Sequence, residues 1–203
     1  MPAFLLRKAG YDALIFQGKS QNPTYIWIHS DGIEFIDANY LVGFTVDETD
    51  KAIKRELGES KASVACIGPA GEKLVRIACI ISDGGNGVAG RTGLGAVMGS
   101  KNLKAVTVRG EKEIPVANPS KLKELVGKFA KMVAKELKEY RIHGQAFDLL
   151  PNEKDGDMPK KYWNIGEWSE GAEKIGTPIF TETLKAKPLA CAFCPVGCHR
   201  LIP

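Results

Sequence analysis

Cys191, Cys194 and Cys198 stand close together near the end of a chain of 203 residues. Thiols at i, i+3 and i+7 around one turn can aim three thiolates at one point, as an iron–sulfur cluster or a sulfur-rich zinc site requires. The spacing, two residues and then three, differs from the two-and-two run of bacterial ferredoxins and from the three-and-two run of the radical-SAM triad. A redox Cys-x-x-Cys pair would leave the third thiol unexplained. The expectation is therefore metal binding, with an iron–sulfur cluster placed ahead of zinc. In the zinc reading His199 is the fourth ligand; otherwise it only neighbours the site, because a residue next to Cys198 can rarely turn toward the same metal. The spacing supplies no fourth cysteine, so the chain reads as a fragment whose site is completed elsewhere.

A second stretch with chemical content is Asp83 to Gly99, which holds seven glycines in seventeen residues. A backbone of this kind can approach a ligand closely, and a helix start following it favours phosphate. Arg91 and Lys101 add positive charge. The spacing Gly93-x-Gly95-x-x-x-Gly99 misses the dinucleotide fingerprint, and the Gly-Lys-Ser/Thr ending of a P-loop is absent. Taken alone, these glycines suit a tight turn and close strand–helix packing equally well.

The elements that must position these residues follow from pattern. Thr24–His29 and Ile33–Ile36, joined through Ser30-Asp31-Gly32, read as a β-hairpin. Asp47–Leu57 reads as a helix stopped by Gly58, and Ser63–Ile67, Leu74–Ile81 and Leu103–Val108 read as buried strands. Cys66 and Cys79 are expected to be core. Asn118-Pro119 opens the clearest helix, with Leu122, Leu125, Val126, Phe129, Met132, Val133, Leu137 and Tyr140 at helical spacing. Pro151–Trp168 reads as an ordered loop, and Thr181–Lys187 as a short helix that delivers the cysteine turn. The switch from strands to helix near Ile114-Pro115 divides the chain into residues 1–113, β-rich, and 114–203, mostly helical, an α+β architecture.

Composition narrows the function classes. A net charge of +4, without a basic stripe, gives no reason to expect nucleic-acid binding. No segment reaches the roughly 18 apolar residues of a membrane span, and the first residues lack a signal-peptide pattern. Five cysteines, an odd number with three clustered, fit a reducing compartment better than disulfides. The chain is expected to be cytoplasmic.

The residues also match a known pattern. Gly68-Pro-Ala-Gly-Glu72, the block Ala89-Gly-Arg-Thr-Gly-Leu-Gly-Ala-Val-Met-Gly-Ser-Lys-Asn-Leu-Lys-Ala105 and the run ending Cys198-His-Arg resemble, in order and over essentially the whole chain, the tungsten- or molybdenum-dependent aldehyde ferredoxin oxidoreductase family. The resemblance implies a base domain under a tungsten or molybdenum bis-pterin, with magnesium bridging the pterin phosphates. It implies cofactor contacts along Asn86, Gly87, Val88, Ala89, Gly90, Arg91, Gly93 and Gly95, the magnesium falling to the backbone of Val88 or Ala89. This sequence has Gly87-Val88 where many relatives carry Arg-Ala. It further implies a four-iron, four-sulfur cluster on Cys191, Cys194 and Cys198 that passes electrons to ferredoxin.

By the same resemblance the whole enzyme oxidises an aldehyde to a carboxylate. Phe4–Gly10 matches a point well inside the family's chains, so the opening strands, two further cofactor residues, the fourth cluster cysteine and the acidic and histidine residues around the metal are expected in other parts of the enzyme. No residue of this stretch is named as general acid or base, and the isolated chain is expected to be inactive. The alternatives are a non-catalytic iron–sulfur electron-transfer or assembly module, and a zinc-stabilised binding domain.

Overall fold

A computed structural model describes residues 2–203. The chain forms two compact units, Met1–Pro115 and Val116–Pro203. The architecture is α+β.

The first unit is built on a six-stranded mixed sheet in the order β2-β1-β6-β3-β4-β5. Its strands are β1 Thr24–His29, β2 Gly32–Asp37, β3 Ser63–Cys66, β4 Ile80–Ser82, β5 Gly87–Ala89 and β6 Leu103–Arg109. β1 and β6 pair in parallel and all other neighbours are antiparallel. The helices are α1 Pro2–Ala9, α2 Val46–Glu56, α3 Pro69–Glu72 and α4 Leu94–Ser100.

β1 shows why the sheet is covered on both faces. Successive strand side chains point to opposite sides, and Tyr25 and Trp27 join a core with Leu41 and Ile53 on the α2 side. Ile26 and Ile28 join another with Leu5 of α1 and Met98 of α4. The β1–β6 register slips between Thr24 and Tyr25, whose partners are Leu103 and Ala105. The residue skipped is Lys104, which is buried and reaches Glu72 Oε1 at 2.5 Å and the Phe44 carbonyl at 3.0 Å. A buried ammonium needs such partners, so the bulge ties α3 and the loop before α2 to the sheet.

The predicted strand over 74–81 shrinks to β4. Leu74 has φ 57 after α3, a turn conformation, and Ile77 is 82% exposed. Cys66 is core as expected, whereas Cys79 is only half-buried.

The second unit holds α5 Pro119–Glu136, α6 Lys138–His143, α7 Leu149–Lys154, α8 Ser169–Ile175 and α9 Ile179–Thr183, then a hairpin of β7 Lys187–Leu189 and β8 His199–Leu201. Asn118 caps α5 by accepting from the Lys121 N–H at 2.9 Å. The helix predicted to run to Tyr140 breaks at Leu137 and resumes as α6. The apolar face of α5 is largely exposed, with only Val133 buried. Pro151 lies in α7, so the irregular stretch starts later than predicted. Among the described residues no helix is long and apolar enough to cross a membrane.

Candidate functional site

Two places carry the chemistry read from the sequence, one in each unit. In the first, Asp83–Gly99 divides into parts with different physical duties. Its opening is the turn of a β-hairpin, with β4 and β5 paired from Ile80↔Ala89 to Ser82↔Gly87. Asp83, Gly84 and Gly85 all have positive φ (52, 64 and 112°). Ser63 Oγ holds Asp83 Oδ1 at 2.6 Å, and Asn86 Nδ2 donates to the Asp83 carbonyl at 2.9 Å. Asn86, Val88, Ala89, Gly90 and Arg91 are exposed and Gly87 is half-buried. A Cβ on Gly84 or Gly85 would meet nothing, and one on Gly90 would make only ordinary contact with Val88 at 3.5 Å.

The later glycines differ. Gly93 and Gly95 are buried, and a Cβ there would lie 2.3 Å from the Arg76 carbonyl oxygen or 2.6 Å from that of Cys79. A Cβ on Gly99 would stand 1.9 Å from the Gly71 carbonyl oxygen. These three are packing glycines that let α4 lie on the backbone of residues 71–79. Thr92 precedes them at φ 69, a costly conformation for a β-branched residue. Lys101, expected beside the glycines as a charge, instead donates to the Gly18 carbonyl at 3.0 Å.

In the second unit the β7–β8 hairpin closes the cysteine loop at its base, where Leu189 pairs with His199. The Cys194 N–H donates to the Cys191 carbonyl at 3.1 Å, making the first turn, and Phe193 between them has φ 60. Cys191 and Cys194 lie on the wall of an open cavity of about 660 Å³, whose other wall is Leu125, Val126 and Phe129 of α5. Cys191 Sγ is 3.8 Å from His199 Nε2. Cys198 sits over Gly144, whose added Cβ would be 2.4 Å from the Cys198 carbonyl oxygen.

The backbone thus brings the three thiols to one loop, but the side chains are not gathered on one point. Among the described residues no three His, Cys, Asp or Glu side chains are grouped so as to hold one metal ion. Thiolates crowd together only against the charge of what they bind.

Sequence reasoning missed the anchor of this loop. Arg200 runs its guanidinium along the carbonyls of Tyr140, Arg141 and Ile142 at the end of α6 and onto the Gly197 carbonyl, at 2.6–3.3 Å. The only hint was the residue's place beside Cys198-His199.

Comparison with known proteins identifies a redox-enzyme family. The pattern described as "Aldehyde ferredoxin oxidoreductase, N-terminal domain" matches residues 2–110, nearly the whole of the first unit. The chain belongs to that family. It is 38% identical over 206 aligned residues to the tungsten-containing aldehyde ferredoxin oxidoreductase of Thermococcus kodakarensis, and 39% over 207 to that of Pyrococcus furiosus. Each alignment covers 97% of this chain and 33% of the relative, so the chain spans about a third of their length. A further relative in Pyrococcus furiosus, 37% identical over 139 residues (62% of this chain, 22% of the relative), is an "aliphatic sulfonate oxidoreductase, WOR-like subunit". Among solved structures, the active-site complex BamBC of benzoyl coenzyme A reductase, in complex with 1,5-dienoyl-CoA, matches with a TM-score of 0.73 and 33% identity, covering 98% of this chain and 32% of that one.

Proposed function

We propose that this chain forms part of the cofactor-holding frame of an aldehyde-oxidising enzyme, with residues 1–113 under a tungsten or molybdenum bis-pterin and residues 114–203 carrying a four-iron, four-sulfur cluster. The observation that supports the first half is the β4–β5 hairpin: open space around Gly84 and Gly85 and only ordinary contacts at Gly90, on a base packed by Gly93, Gly95 and Gly99. That division suits a rigid frame with a backbone face free for pterin phosphates and their bridging magnesium. Val88 and Ala89 would face them with backbone groups, and Arg91, exposed at the end of β5, would add charge. Strained residues at both ends, Asp83 and Thr92, are the kind that persist where a site needs them.

For the cluster, the donor set fits: three thiols on one loop, two of them, Cys191 and Cys194, beside an apolar wall. Cys191, Cys194 and Cys198 would hold it, and apolar burial limits solvent access to such centres. The cofactors supply the redox chemistry: an aldehyde and water give a carboxylate, three protons and two electrons, and ferredoxin takes the electrons. This chain's residues bind and orient, and none is assigned a proton transfer. The relatives' names span an aldehyde, an aliphatic sulfonate and a coenzyme A ester, which fits a shared frame whose substrate is chosen by other residues.

The test is anaerobic isolation of the protein followed by analysis of iron, acid-labile sulfide, tungsten and molybdenum. Cys191→Ser, Cys194→Ser or Cys198→Ser should each remove most of the iron and the visible thiolate-to-iron absorbance. A colourless protein holding zinc without iron would overturn the cluster and leave a zinc-stabilised domain.

A further inference from the structure

β8 reaches both sides of the cysteine loop. On one side Arg200 is fixed: Nη1 donates to Ile142 O at 3.1 Å, and Nη2 to Tyr140 O and Arg141 O at 3.3 Å each and to Gly197 O at 2.6 Å. The end of a helix carries partial negative charge on these carbonyls, and a planar guanidinium loses little freedom per bond it makes there. Neighbouring residues of a strand point to opposite faces. With Arg200 locked toward α6, His199 is turned the other way, and its Nε2 comes 3.8 Å from Cys191 Sγ.

We infer that His199 is a positioning residue for Cys191: an imidazole N–H donor to that sulfur, held in place by the Arg200 anchor, that raises the reduction potential of the cluster the loop carries. The inference rests on the cluster reading above. A ligand thiolate can only accept, so the imidazole must donate, from the tautomer with its proton on Nε2. Reduction adds negative charge to the cluster and its sulfurs. A donor aimed at one sulfur therefore stabilises the reduced state more than the oxidised one. The partner is specific, because the hairpin register sets His199 opposite Leu189, two residues before Cys191.

The experiment is a redox titration of the iron-loaded protein at one fixed pH, comparing wild type, His199→Gln, His199→Leu, Arg200→Lys and the His199→Leu/Arg200→Lys pair, with iron content measured on each. His199 is exposed, so its substitutions should leave the fold intact by circular dichroism. His199→Leu should keep its iron and shift to a more negative potential, and His199→Gln, which keeps an N–H donor, should recover part of that shift. Arg200→Lys should shift the same way, and the double variant should add little to His199→Leu, as coupled residues do. An unchanged potential in His199→Leu with iron retained overturns the inference. Loss of iron from His199→Leu also overturns it, by making the imidazole a ligand. A wild-type protein that takes up no iron sinks the cluster reading itself, which iron analysis shows before any potential is measured.

Discussion

A Cβ on Gly99 would lie 1.9 Å from the carbonyl oxygen of Gly71, so α3 and α4 touch backbone to backbone. These glycines belong to the two sequence blocks, Gly68–Glu72 and Ala89–Ala105, that carry the family pattern. Part of that pattern therefore answers to packing.

This separates the glycines into two classes by experiment. Gly99→Ala and Gly95→Ala should each destabilise the protein by about 1–3 kcal/mol, the usual range for overpacking, or more because backbone cannot yield. Gly90→Ala should fall within about 0.5 kcal/mol of wild type, as for substitutions away from packed features, while weakening metallopterin retention. Urea unfolding of the cofactor-free protein checks the first pair, and tungsten and molybdenum content checks the third. Equal destabilisation by all three would assign the whole segment to packing.

Burial sets a pH limit on the first unit. Desolvation pushes the Cys66 thiol from a usual value near 9.0 up to about 12, and its Sγ faces the Val46 carbonyl at 3.8 Å. A raised pKa in the folded state means the contribution is complete below about pH 9 and is lost as pH rises toward 12, because only the unfolded thiol ionises in that window. Tyr25 and Tyr40, which both donate to Glu56 Oε2 and are also raised by burial, add a loss of the same sign. The stability difference between wild type and Cys66→Ala isolates the thiol: it should shrink between pH 9 and 11. A difference that stays constant over that range would show Cys66 to be no harder to ionise folded than unfolded. In the cofactor-free folded protein Cys66 should also resist alkylation, while exposed Cys191 labels readily.

Local signals made much of the fold legible. The Thr24–His29 hairpin, the α2 helix stopped by Gly58, and Asn118-Pro119 at α5 carry their chemistry within a few residues. What escaped depended on distant partners. Leu74–Ile81 has a strand-like composition, but α3 and the close approach of α4 turn it aside after Glu72. The sequence could not separate Gly90 from Gly93, since the difference is the Arg76 carbonyl lying against one and only ordinary side-chain contact beside the other. Arg200 was invisible for the same reason: its partners lie about sixty residues earlier, in α6. The cysteines were legible as a set, whereas their side-chain directions were not.

An ion pair ties the irregular stretch after α7. Glu153 and Lys160 are buried 2.7 Å apart, Glu153 Oε1 accepts from the Trp168 N–H at 2.5 Å, and Lys160 donates to the Gly166 carbonyl at 2.7 Å. The hydrogen bond from Lys160 is the first cause holding the Glu153 carboxyl below its usual value near 4.5. A lowered folded pKa gives stability that is present above that value and lost as pH falls through the folded one. Fluorescence of Trp163 and Trp168 should therefore report an opening of this stretch in acid. In Lys160→Met, which leaves the carboxylate without its partner, the opening should move to higher pH; identical acid midpoints would mean that the pair does not hold the loop.

Gly144 links the end of α6 to the third cysteine. Its φ is +66°, and a Cβ there would stand 2.4 Å from the Cys198 carbonyl oxygen and 2.5 Å from Arg200 Nε. Gly144→Ala should cost about 1–3 kcal/mol from the backbone alone, because φ +66° with ψ −157° is essentially reserved for glycine, and it must also push Cys198 away from α6. Gly197, at φ +62°, is the comparison, a second positive-φ glycine of the loop whose Cβ would meet nothing closer than 3.8 Å. Gly197→Ala should carry a backbone cost without moving Cys198. Both variants should lower the thermal midpoint of the second unit, but Gly144→Ala alone should lose iron after anaerobic loading. Equal iron loss from the two would mean that backbone strain anywhere in the loop is enough to empty it, and that the contact with Cys198 has no particular part in holding the cluster.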